Sequence, residues 1–163
     1  SGAAAITGAS NLTLKAASGS IGSEGSAIKW AAAGSSDKPL NLTATAGKSI
    51  YLDAKNLNSG AAVSGSLNAG ETVSAEFRGS VELSSLSGQK ISLISQEGGI
   101  KIDSLDHKEA SDLSQRLDLT AAGDISLKSV GDISVGQIST SGDVTIDSAG
   151  NIYDAIEKVY ELN

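Results

Sequence analysis

The chain has 163 residues, enough for one domain with a proper core, but only one Trp, one Phe, three Tyr and no Met to fill it. Twelve Lys and Arg stand against 19 Asp and Glu, and the resulting charge of −7 disfavours nucleic acid and anionic membrane surfaces as partners. No cysteine is present, which excludes disulfides and thiolate metal sites, and no apolar run approaches the length of a membrane span.

Ala, Ile, Leu and Val carry most of the 39% apolar share. A core of such residues must be thin and regular, and 19 glycines with many serines favour short turns. The chain begins without Met, in mid-pattern at SGAAAITGASNLTLKA, and shows no signal peptide. It is expected to be a fragment or processed piece of something longer.

In chain order, NLTLKAASGSI (11–21) opens with the apolar–polar alternation of a half-buried strand. Residues 21–40 carry Trp30 and Pro39 and read as a loop, after which NLTATAGKSIYL (41–52) resumes the alternation. GSVELSSL from Gly79 then aligns with GGIKIDSL from Gly98, 19 residues later (98 − 79). That shift sets Val81 against Ile100, Leu83 against Ile102 and Leu86 against Leu105. Residues 105–118 concentrate charge, hold the one histidine, and are expected to leave the pattern as an insertion with a helical turn. From Gly123 the period returns, with Gly123 and Gly142 again 19 apart (142 − 123), as are Gly131 and Gly150 (150 − 131). Ile125 then meets Val144, Leu127 meets Ile146 and Ile133 meets Ile152. In the tail, Ile156, Val159 and Tyr160 stand near helical spacing, so residues 153–163 are expected to form a short terminal helix or a capping segment.

Strands of four or five residues, closed by Gly, Ser, Asn or Asp, leave no room for crossover helices. Similar strands at a fixed period can stack if the chain coils, each turn advancing about 4.8 Å along an axis. Equivalent aliphatics then form ladders inside, and one coil can bury its face only against the next. The expectation is an all-β, parallel β-helix of about 19 residues per coil, with one or two loop excursions and about eight coils at most. An antiparallel sandwich suits short alternating strands as well, but it requires no fixed period.

The chemistry-bearing residues are few. His107 lies between Asp106 and Lys108, where a base or metal ligand is conceivable, yet a lone His in a charged loop is ordinarily solvated. Asp124, Asp132 and Asp143 follow glycines, but the nonapeptide of a calcium-binding β-roll is missing, and turn capping explains them better. NLT at Asn11 and Asn41 fits a glycosylation acceptor and equally a strand opening. A polysaccharide-cleaving β-helix needs clustered carboxylates with a basic partner; Asp103 and Asp106 with Arg78 or Arg116 are the available groups. No catalytic residue, cofactor or metal is assigned. The candidate ligand contacts are Trp30, Lys29, His107 and Arg116, in the loops around 27–38 and 106–116.

GDISL, GDVTI, GNI, NLTLKA and NLTATAGKSIYLDA at periods near 19 resemble the repeat region of filamentous-haemagglutinin-type exoproteins, the large substrates of two-partner secretion. The resemblance covers most of the chain, omitting residues 105–118 and the last dozen. It implies a right-handed parallel β-helix, export through an outer-membrane transporter and display on the bacterial cell surface. It also implies a non-catalytic stalk of an adhesin or contact-dependent inhibition protein, meeting a receptor or glycan on a host or neighbouring cell through the parent protein. The family's motifs identify a shaft, and neither its secretion motif nor a toxin signature is present. The alternative is a carbohydrate-active β-helix enzyme.

Overall fold

Aliphatic–polar alternation gives each short strand one dry face and one wet face, and a Gly, Ser or Asx corner ends it after a few residues. The computed structural model describes residues 5–155, and these contain fifteen strands and no helix. The first coils hold β1 (Ile6–Thr7), β2 (Asn11–Ala16), β3 (Ile28–Ala31), β4 (Leu40–Ala46) and β5 (Ile50–Ala54). The middle holds β6 (Val63–Ala69), β7 (Thr72–Phe77), β8 (Val81–Gly88), β9 (Lys90–Ser95) and β10 (Ile100–His107). Last come β11 (Leu117–Ala121), β12 (Ile125–Ser129), β13 (Ile133–Ser139), β14 (Val144–Ser148) and β15 (Ile152–Asp154).

Odd-numbered strands form one eight-stranded sheet and even-numbered strands a seven-stranded one, each in chain order. The chain therefore coils, one strand of each sheet per turn, into a parallel β-solenoid of about six turns at roughly 23 residues per turn. The ladder Leu40–Val63–Val81–Ile100–Ile125–Val144 runs through six even strands. Opposite it, Ile50–Val73–Ile91–Leu117–Val135 runs through five odd strands. The aligned pairs read from the sequence, Val81 with Ile100 and Leu127 with Ile146, are register partners.

The 19-residue coil is close to a minimum. Ile100 sits 19 residues after Val81 (100 − 81), but its next partner, Ile125, comes 25 later (125 − 100). The surplus lies at corners, because the ladder constrains strands and leaves the turns between them free in length. Residues 21–40 are accordingly only part loop: they contain β3 and a bridge from Ile21 to Ile50. The departure expected over 105–118 is also shorter, since β10 runs to His107 and β11 starts at Leu117. Between them lie turns closed by Asp112 N–H to Glu109 O and Gln115 N–H to Asp112 O, both 2.9 Å. Of the expected terminal helix or capping segment, Tyr153 and Asp154 belong to β15, Ala155 N–H donates to Val135 O at 2.8 Å, and residues 156–163 lie outside the described residues.

Interior ladder positions are dry and the last coil is not. Ile100 and Ile125 are 1% exposed, while Val144 and Ile152 are 46% and 55% exposed. Glycine interrupts one aliphatic ladder. Gly65, between Leu42 and Leu83, has φ +155°, and a Cβ there would overlap the Leu42 carbonyl. The β6–β8 register slips directly after it, so Gly65 admits a bulge that other residues resist.

Ile100→Ala should therefore cost about 2–5 kcal/mol in a urea titration, whereas Val144→Ala should cost about 1 kcal/mol or less. Gly65→Ala should destabilise by about 1–3 kcal/mol although it removes no contact, and a neutral result would refute the bulge argument.

Candidate functional site

The four residues nominated from the sequence do not converge. Trp30 was expected to contact a ligand from an irregular loop, and that is corrected: it lies in β3, fully buried, with Nε1 donating to Ala9 O at 3.1 Å. Trp30 and Phe77 are the two aromatic side chains fully buried in a core otherwise built of aliphatics, and the indole N–H finds a carbonyl as buried Trp requires. His107 is likewise buried, 5% exposed, where solvation was expected. Lys29 and Arg116 are partly exposed, and Arg116 Nη2 contacts Asp118 Oδ1 at 3.2 Å. Lys29 is on β3 and Arg116 directly precedes β11, four strand spacings away in the same sheet, about 19 Å.

A groove lies instead on the outer face of the odd-numbered sheet. Two adjoining concavities of about 300 and 230 Å³ share Glu24, Tyr51, Ser74 and Ser92. Strand register explains this set, because Tyr51 pairs with Ser74 and Ser74 with Ser92, giving a flat hydroxyl floor beside one aromatic ring. The loop bearing Glu24 overhangs that floor. It turns at Gly22, where φ is +69° and a Cβ would stand 2.7 Å from Tyr51 O. Reciprocal Ser23–Ser26 backbone bonds of 3.0 Å close it. Only glycine brings the loop this close to β5.

Charge in the groove is partly compensated. Lys55 Nζ reaches Asp53 Oδ2 at 3.8 Å and Glu76 Oε2 at 3.5 Å. Among the described residues no ion pair engages Glu24 or Lys90, and no hydrogen bond engages the hydroxyls of Tyr51, Ser74 or Ser92. Hydroxyls elsewhere are used internally, as Ser95 Oγ on Gly79 O (2.7 Å) and Ser87 Oγ on Asn68 Oδ1 (2.9 Å). The groove thus offers an aromatic face, free hydroxyls, a carboxylate and an ammonium. That set suits a polyhydroxylated ligand.

Polar residues at the corners serve the coil. Asp124 Oδ1 accepts from Asp143 N at 2.9 Å and Asp132 Oδ1 from Asn151 N at 2.7 Å, each 19 residues on. Each aspartate clamps its own coil to the next. No cluster of three or more His, Asp or Glu able to hold a metal occurs among the described residues. Asn41 Nδ2 donates to Asn11 Oδ1 at 2.8 Å, stacking the two NLT asparagines. Arg78 Nε lies 2.5 Å from Glu97 Oε1, and with the Ser59 hydroxyl at 2.9 Å it holds that carboxyl below its usual range. Both residues are surface-exposed, so this clasp contributes little to stability. Asp103 and Asp106 are on β10, with Asp103 Oδ1 3.9 Å from Lys101.

The groove escaped the sequence reading for a definite reason. Its members are spaced 23 and 18 residues apart (74 − 51 and 92 − 74), off the repeat by corner length. No helix is long and apolar enough to cross a membrane. Comparison with protein families, with curated proteins and with solved structures gives no match.

Proposed function

We propose that this chain is a non-catalytic structural and adhesive segment of a large secreted bacterial surface protein of the filamentous-haemagglutinin-like kind. It acts as a stalk, exported through an outer-membrane transporter, and its outer-face groove meets a glycan on a host or neighbouring cell. One observation carries the stalk: uninterrupted aliphatic ladders join successive coils, so stiffness is repeated along the axis. Folding by addition of equivalent coils also suits export, since each new coil can dock on the one before it.

The carbohydrate-active alternative draws on Asp53 and Glu76, register partners beside the groove. Both carboxylates are engaged by Lys55, which favours a binding role over acid–base work.

Two measurements test these readings separately. Deleting residues 63–80, one complete coil of β6 and β7, should leave a folded protein shorter by about 4.8 Å along its axis in small-angle scattering. Loss of all cooperative unfolding in that variant would sink the stalk. On an array of neutral and anionic oligosaccharides, Tyr51→Ala and Ser92→Trp should each reduce retention at least about tenfold, the equivalent of 1.4 kcal/mol. Retention unaffected by either substitution would remove the groove from the proposal, and shortening of a bound polysaccharide would favour the enzyme.

A further inference from the structure

His107 closes β10 with its ring turned inward, and both ring nitrogens are engaged. Nδ1 stands 3.1 Å from Ser134 N, and Nε2 stands 2.8 Å from Gln89 O. A backbone N–H can only donate and a carbonyl can only accept, so Nδ1 is bare and Nε2 carries the proton. The ring is therefore neutral and held in one tautomer.

The two backbone groups it joins belong to different coils. Gln89 directly precedes β9 and Ser134 lies in β13, with β11 between those strands in the sheet. β11 does not begin until Leu117, because the chain leaves the coil between Lys108, whose N–H still donates to Gly88 O at 2.8 Å, and Arg116, whose carbonyl accepts from Ile91 N at 2.9 Å. At this corner the imidazole does what a strand would do, accepting from one coil and donating to another. Ser134 is fully buried and its Oγ has no hydrogen-bond partner, while the opposite edge of its strand pairs with β15 through Tyr153.

We propose that His107 is an acid-released latch that joins the end of β10 to β13 at the corner where the chain leaves the coil. Adding a proton at Nδ1 turns the acceptor into a donor facing the Ser134 N–H, and the joint to β13 is lost. The Gln89 joint survives, since Nε2 donates in either form. The opening is local, because the aliphatic ladders on both sides do not involve the ring.

Charged groups stand around the corner on every adjoining segment: Asp106 on β10 itself, Lys90 opening β9, Asp118 on β11, and Lys108, Glu109 and Arg116 in the excursion. Burial has the largest effect and sets the imidazole below its ordinary 6.5. The backbone groups of Gln89 and Gln115, and then Asp106 alone of these charges, act the other way and favour the charged form without prevailing. A base depressed in the folded state adds stability that is complete above the unfolded value. That stability is lost as pH falls through the folded value, so the latch weakens below about pH 6.5 and not above it.

The test is amide hydrogen exchange by NMR at pH 7.5 and pH 4.5, corrected for intrinsic rates, on the full chain. Protection of the Ser134 amide should fall at least tenfold at the lower pH, while that of Leu83 and Ile102, in the ladders, stays unchanged. The ring nitrogen spectrum at pH 7.5 should show Nδ1 unprotonated. His107→Gln supplies one acceptor and one donor but no titration, so its Ser134 protection should be the same at both values. A ring that titrates without change at Ser134, a proton on Nδ1 at pH 7.5, or a His107→Gln protein that follows the wild type would each overturn the latch.

Discussion

No coil of this protein can keep its own aliphatic face dry; only the coil above or below can do that. Val81 is shielded because Val63 and Ile100 lie on either side of it, and the same holds along every interior ladder. Val144 and Ile152, in the last described strand of each sheet, are exposed where the interior ladder positions are dry. Stability is thus approximately a sum of contacts between adjacent coils, and shape follows from how many there are.

Because the constraint acts on strands, corners are free to vary, and the variation is where distinctive features sit. A long early coil supplies the overhang of Glu24 above Tyr51. A long middle coil supplies the excursion between Lys108 and Arg116, beside which His107 and Ser134 are buried. Where coils are short, corner side chains are consumed in stitching one to the next, as Asp124 and Asp132 do. The groove combines these two conditions: a flat floor from registered strands, and a wall from a corner longer than the minimum. Its free hydroxyls, aromatic ring and uncompensated ends set it apart from the remaining surface.

The latch has the same origin. The excursion between Lys108 and Arg116 interrupts a parallel ladder, and interrupted ladders leave backbone donors and acceptors that burial makes costly. Imidazole is a side chain with one donor and one acceptor on opposite edges of a rigid ring, so it can repair both sides of such a gap. It is also the one whose repair can be undone near neutral pH.

The fold was legible in the amino-acid order because the ladder is periodic there: Val81 and Ile100, or Leu127 and Ile146, stand one coil apart as register partners. Alternation decided the strands, and glycine, serine and Asx decided the corners. Coil length, loop extent and the groove were decided only by tertiary structure. Tyr51, Ser74 and Ser92 meet through coils of unequal length, which no single period reveals. Local pattern placed Trp30 in an irregular loop and His107 in a solvated one, whereas packing drew both inside, each with a hydrogen bond to the backbone of another segment. Local pattern determines which faces must be dry, and only the assembled stack determines what stands opposite what.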